Sequence, residues 1–568
     1  MAEEEVVAVE HTITTPEANS SAASAQVSSP AAHNLKSYMF SIDHGQGHGG
    51  ATGTQKAKEP GGYKAYGGFE EKPRKMEVFS WCSYELCSYF VLHVLIPIVF
   101  PLIISQIVKF PKDEPVHGFV QNTRGLNCSA KEMKIYHGLT SPYINVNHAK
   151  YSALEWTSIS WAIGILIAAP ILGFLSTHLD RGHQPIIAIG ATAIGAIFCL
   201  PSGFFKTVWI FPPYIAFIIA AITVASASHT RHLGFMVRGF TGPTIQKSQF
   251  QIRRAVSGWL SLYAAAAGSL GCAVIASFTY HMLKEKEEFI SLWVVSIYSG
   301  LIWLLGIFHF LTSNRPTNRT SISRAHALSI FKYPHALGSL AGVFLSSLTT
   351  MCIFTGTLLY LVGQLCFSPA SLLYFWLIYF IFPLVLLPLM HPLQHVLKSD
   401  SVKMQILGFA LSAITAGMGF YYKGKIWRRK HVLALALFQS TSTGILHAFG
   451  RVLLVDCSPY GKEGAFSTWF VLVKVLGTGL GFTIASVAPG NIGVSFGVAF
   501  FTSVVAMAVL IFGNVSDLDG AVAAGNVEED HVVNYGEGGV SSSPLVHGVD
   551  VAGSSTEIKE CLEKNETP

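Results

Sequence analysis

Apolar runs of about 20 residues recur along the chain from residue 84 to residue 513, separated by short polar segments. Twelve such runs fall near 84–108, 153–177, 185–205, 208–230, 256–282, 291–312, 336–362, 370–391, 403–421, 431–455, 464–487 and 491–513. A helix of about 20 apolar residues crosses the roughly 30 Å hydrocarbon core of a bilayer. The short alternating strands of a membrane barrel are missing from the pattern. The expected fold class is therefore all-α integral membrane, with twelve transmembrane helices. Residues 1–78 and 514–568 are rich in small, polar and acidic residues and show no sustained apolar period. They are expected to be disordered tails. No hydrophobic signal-peptide core lies near Met1, so the first run is expected to act as its own insertion signal.

Charge sets an expected orientation. Lys72, Arg74 and Lys75 precede the first run, which favours a cytosolic N-terminus and, with twelve crossings, a cytosolic C-terminus. Arg315, Arg319, Arg324 and Lys332 lie between runs six and seven. That divides the chain as a six-helix bundle at 79–312, a cytosolic loop at 313–335 and a second bundle at 336–513, the layout of a transporter with two repeats. Between runs four and five, Arg231, Arg238, Lys247, Arg253 and Arg254 fall on the expected cytosolic side. Lys423, Lys425, Arg428, Arg429 and Lys430, between runs nine and ten, fall on the other side, against the positive-inside rule. The long loop 109–152 holds the sequon Asn127-Cys128-Ser129, where Asn127 is a glycosylation acceptor if the loop faces a lumen. A second sequon, Asn318-Arg319-Thr320, lies on the expected cytosolic face.

Composition narrows the class. Charged residues make up 12% of the chain, against about 25% in soluble domains. The net charge of +5 is scattered, leaving no nucleic-acid footprint. The nine cysteines have neither zinc spacing nor a disulfide framework, and Cys199, Cys272 and Cys352 sit within apolar runs. Walker and HExxH motifs are absent, so no enzyme, cofactor or metal site is expected.

Polar residues inside the apolar runs carry the candidate chemistry. Lys474 lies about ten residues into its run, near 15 Å deep, with Gly477, Gly479 and Gly481 behind it. An isolated charge at that depth costs roughly 2.5–3.5 kcal/mol on insertion scales and usually faces a bundle interior or a water-filled path. Glu85, one turn into the first expected span, can bind a proton or pair with a base; the plain alternative is an interfacial residue beside Trp81 and Tyr84. His93 lies deeper, where a packing role is the commoner one. Glu155 opens the second span as an interfacial residue. Asp180 and Arg181 sit in the tight turn after that span, a place for a latch between helix ends. Arg451 and Asp456 are expected to pair with each other or with Lys462 and Glu463 at the cytosolic mouth.

Three segments resemble the autophagy-related 22-like branch of the major facilitator superfamily, the vacuolar amino-acid effluxers and their bacterial relatives. They are Trp81-x-x-Tyr84-Glu85, then Arg254-x-Val256-Ser257-Gly258, then Ala448-Phe449-Gly450-Arg451 with Pro459-x-Gly461-Lys462-Glu463-x-x-Phe466 and Lys474. In the superfamily latch after span two, Thr177 stands at the Asp position and the acid is displaced to Asp180. The resemblance implies two six-helix bundles working by alternating access, with neutral amino acids exported from a vacuole. It implies a monomer in membrane lipid, a small-molecule substrate and proton coupling. Glu85, His93 and Lys474 would line the path. Asp180, Arg181, Arg451, Asp456, Lys462 and Glu463 would form the cytosolic gate. A plasma-membrane address, another small solute, or a non-transporting scaffold or receptor docking through its tails are the other readings of the same features.

Overall fold

The computed structural model describes residues 71–108, 119–122, 126–201, 204, 206–285, 289–312, 327–425 and 427–529. Most of both expected tails, and residues 313–326 with the Asn318 sequon, lie outside these residues. Eleven helical stretches are long and apolar enough to cross a membrane. One of them, Ala153–Cys199, has 47 residues, about 70 Å of helix, more than twice the hydrocarbon thickness. It breaks at Gly182, whose φ of 91° is a left-handed conformation that glycine adopts without a Cβ penalty. Taken as two crossings, it brings the count to the twelve expected.

We number these helices α1 (Lys75–Ile107), α2 (Ala153–His178), α3 (Gln184–Cys199), α4 (Phe211–Thr241), α5 (Phe250–Glu285) and α6 (Leu292–Thr312). The remainder are α7 (Pro334–Gly363), α8 (Pro369–Val396), α9 (Ser401–Tyr421), α10 (Arg429–Asp456), α11 (Glu463–Val487) and α12 (Ile492–Phe512). The chain is a multi-pass integral membrane protein. Large apolar side chains such as Leu166, Phe174, Ile186 and Phe512 stand exposed on the outer helix faces, as contact with lipid requires. We call the end of the bundle where α1 starts the near end, and the opposite end the far end.

Local chemistry sets the helix boundaries. Ser152 caps α2: its hydroxyl accepts from Glu155 N, while Glu155 Oε2 accepts from Ser152 N. Glu155 is thus half of a capping box. Asp400 caps α9 through Lys403 N, and Ser368 caps α8. In α1 the residues Val91–Val99 wind as a π-helix around Pro97, which cannot donate a backbone hydrogen bond.

The packing repeats. Within the first six helices α1 packs on α5, α2 and α3 on α4, and α3 and α1 on α6. The same pairs recur six places on, as α7 on α11, α8 and α9 on α10, and α9 and α7 on α12. Contacts between the two sets follow the same rule: α5 meets α8 and α10, as α11 meets α2 and α4. Small residues permit the closest crossings. A Cβ on Gly477 or Gly481 of α11 would run into the α7 backbone at Phe344 O or Leu348 O, 2.5 Å away in each case.

Four expectations need correction. The first helix begins at Lys75 rather than residue 84, so Glu85 lies about 15 Å along it and is buried, not interfacial. Helices α4 and α5 extend well beyond their apolar runs, so Arg231, Arg238 and Arg253 are buried helix residues rather than loop charges. A disulfide joins Cys128 to Cys366 at the far end, linking the α1–α2 and α7–α8 connections. Irregular cysteine spacing could not reveal it, because the two thiols are 238 residues apart. Finally, the C-terminal segment does not become tail at residue 514. Helix Asp517–Ala523 and strand Val527–Glu528 follow α12, and the strand pairs in parallel with Ile245–Gln246 from the α4–α5 connection. Ala521, Ala524 and Val527 supply the buried apolar face that holds this segment down.

Candidate functional site

Helical periodicity stacks Trp81, Tyr84, Glu85, Ser88 and Tyr89 on one face of α1, and Glu85 on that face reaches side chains of α4 and α10. On α10, His447 and Arg451 are four residues apart and share a face. The faces meet at Glu85. His447 Nε2 lies 2.8 Å from Glu85 Oε1, and Arg451 Nη1 donates to the same oxygen at 3.5 Å. His229 Nε2 of α4 lies 2.9 Å from Oε2. Arg451 also donates to Ser261 of α5, to the hydroxyl at 3.0 Å and to the carbonyl at 3.3 Å. Its guanidinium carbon sits 5.0 Å from the Trp81 ring centre, and Trp81 stacks on His229 at 4.7 Å.

Lys474 of α11 borders this cluster. Its ammonium stands 5.3 Å from the Tyr89 ring centre, and among the described residues no carboxylate lies within ion-pair reach of it. Tyr89 in turn stacks on His93 at 3.9 Å, and His93 Nδ1 lies 3.0 Å from Tyr89 O. Three adjoining cavities share Tyr89 and His93 in their walls. Lys474 and His447 line the first two; Thr443 and Thr478 line the last two. The structure therefore gathers Glu85, His93 and Lys474 around one set of adjoining cavities.

The expected gate residues divide. Arg451 belongs to the central cluster rather than to the near-end mouth; it pairs with Glu85, not with Asp456, Lys462 or Glu463. The others lie at the near end with partners of their own. Asp180 Oδ1 accepts from Arg231 Nε at 3.2 Å and from Gly464 N, in the first turn of α11, at 2.7 Å. An acid from the first six helices thus caps a helix of the second six, where the helix dipole favours a negative charge. A Cβ on Gly464 would meet Asp180 Oδ1 and Ser176 O at 2.7 Å, so only glycine fits. Glu463 pairs with Arg238 at 2.6 Å, and Asp456 lies 3.9 Å from Arg253. Lys462 stands 5.7 Å from the Tyr333 ring centre, and Arg181 is exposed. Asp517 holds Arg254 by two hydrogen bonds of 2.8 and 2.9 Å and accepts from Ser401 N. At the far end Asn127 is exposed, beside the disulfide.

Sequence reasoning missed His229, His232, His309, Glu77 and Asp517. One usable signal was available for the central cluster: His447 and Arg451 at four-residue spacing inside an apolar helix.

No family model matches the chain, and no curated protein matches it. Among solved structures it is similar to a bacterial homologue of the iron transporter ferroportin in an outward-facing state, at TM-score 0.49 and 11% identity, over 78% of this chain and 100% of that one. It is also similar to the major facilitator superfamily transporter FucP in the outward conformation, at TM-score 0.48 and 12% identity, over 78% of this chain and 99% of that one. A third similar structure is the human organic anion transporter MFSD10, at TM-score 0.46 and 12% identity, over 77% and 98%.

Proposed function

We propose that this chain is a secondary active transporter of the major facilitator kind. Two six-helix bundles, 79–312 and 336–513 joined through 313–335, would alternate access to a central site. The observation that carries the reading is the Glu85 cluster. A carboxylate of α1 is held by two bases of α10, across the boundary between the repeats, beside a lysine that lines cavities. Charges at this depth are costly in a membrane and mark paths for solutes or protons. Protonating Glu85 removes the charge that His447 and Arg451 hold, loosening one repeat from the other. Glu85 is accordingly the coupling site.

The near-end ion pairs of Asp180, Asp456 and Glu463 act in this scheme as the cytosolic gate, with Lys462 and Arg181 at its rim. The far-end disulfide supports a lumenal or exterior address for that end, since disulfides persist in oxidising compartments. Lys474 meets a carboxylate on the cargo. With the family resemblance, that favours neutral amino acids leaving a vacuole-like compartment.

Purified protein in proteoliposomes, supplied with radiolabelled neutral amino acids under an imposed pH gradient, tests this. Lys474→Met should lower uptake by about tenfold or more, the loss of one charge-assisted contact. Full uptake by that variant would remove Lys474 from the path.

A further inference from the structure

We propose that the chain carries a proton conduit that leads from the near end to the edge of the cavities: a column of side chains from Glu85 and His229, which line the first cavity, through His309 and His232 to Glu77, inside the first six helices. The proposal rests on the reading of Glu85 as the coupling site and adds the route by which its proton travels.

Each end of the column is a close carboxylate–imidazole pair. Glu85 lies 2.9 Å from His229, and Glu77 lies 2.9 Å from His232 Nε2. His229 and His232 are three residues apart on α4 and so share a face. Between them stands His309 of α6, edge-on to both, with ring centres 5.5 Å from His229 and 5.3 Å from His232. Two imidazoles joined nitrogen to nitrogen have centres roughly 5 Å apart, so a ring rotation or one water closes each gap.

His309 supplies a second observation. It is 1% exposed, and neither ring nitrogen has a hydrogen-bond partner among the described residues. A buried polar ring without partners is costly unless it shares a proton or a water with its neighbours. The ionisable groups facing it are Tyr84 of α1 and the two histidines of α4. Phe310 packs on His309 at 4.7 Å, and Trp81 stacks on His229. These rings wall the column laterally. At the Glu85 end the facing charges are His447 and Arg451 of α10, with Lys474 across the cavity. Glu77 sits in the first turn of α1, at the near end, where Ser80 and Thr312 join α1 to α6 at 2.6 Å.

The transfer balances. A proton taken up by Glu77 passes to His232, then to His309, His229 and Glu85. Each imidazole accepts on one nitrogen and releases from the other. Glu85 ends neutral, Glu77 is as it began, and each imidazole ends neutral as the opposite tautomer, which a ring flip resets before the next proton. The proton thus reaches the coupling site from the near end without the cavities opening there.

Transient currents after a pH jump, recorded from proteoliposomes of the full chain on a supported membrane, use the proton itself as the probe. Wild type should give a charge displacement that Glu85→Gln removes. His309→Ala and Glu77→Gln should slow it by tenfold or more, and added imidazole should restore it in His309→Ala, which a purely structural histidine would not do. If Glu85→Gln abolishes the current while both column variants keep the wild-type rate, the conduit is overturned and the coupling site stands. If Glu85→Gln keeps the current, or wild type gives none, the coupling site fails and the conduit with it. Should His309→Ala not elute as a single species, Glu77→Gln decides.

Discussion

At the scale of single residues, Glu85 and Arg451 depend on each other. Arg451 is 1% exposed, and its positive charge at this depth is met by Glu85. Removing one partner of a buried ion pair costs about 3–5 kcal/mol, because the other is left uncompensated. Arg451→Leu is expected to lower the thermal midpoint of detergent-solubilised protein, and Arg451→Leu combined with Glu85→Gln to recover part of the loss; scanning fluorimetry of both variants checks this. Lys474 and Glu85 were legible because a charge in an apolar run stands out. The partner of Arg451 was not. Asp456 is near it in sequence, yet five residues turn a helix by about 500°, which points Asp456 well away from the face that carries Arg451. His309 was illegible for another reason: a single histidine in an apolar run matters only through what surrounds it.

At the scale of elements, hydropathy located every crossing but misplaced the ends of the helices that protein encloses. In α1, 89% of the most apolar window is buried inside the bundle, against 28% in the stretch that forms α2 and α3. An enclosed helix can carry polar residues such as Glu77 and Glu85 in its membrane portion, so its hydropathy falls before the helix ends. The start of α11 shows how closely two elements depend on each other. Gly464→Ala places a methyl against Asp180 Oδ1 and the Ser176 carbonyl, so the Asp180 cap on α11 must give way. Increased labelling of a cysteine introduced near this turn, read with a membrane-impermeant maleimide, is the expected result; unchanged labelling would mean the cap does not hold the near end closed. Loss of the α2 capping box in Ser152→Ala is expected to cost about 1 kcal/mol, visible as a small drop in unfolding midpoint.

At the scale of the whole molecule, groups drawn from both repeats join at the near end, and the C-terminal segment takes part in that junction. Asp517 ties α5 to the start of α9, and Asn526 donates to Asp456 O and Ser458 O beyond α10. Asp517→Asn is expected to leave the protein folded but to raise near-end maleimide labelling several-fold, since it weakens a charge-assisted pair of about 1.5–3 kcal/mol. The segment's composition of small, polar and acidic residues without an apolar period predicts a tail, and its order comes from docking rather than from its own pattern. The repeat is expected from span counting alone, since the two halves share packing partners rather than a visible pattern of residue identity. The far end has a different kind of closure. The Cys128–Cys366 bond makes everything between those residues, from the α1–α2 connection to the α7–α8 connection, a covalent ring. A protease that nicks the chain anywhere within the ring leaves two fragments that migrate as one on a non-reducing gel and separate on adding a thiol. A nicked molecule retains its full set of helices under one covalent tether, so cleavage of the link between the repeats and release of either repeat become separate events.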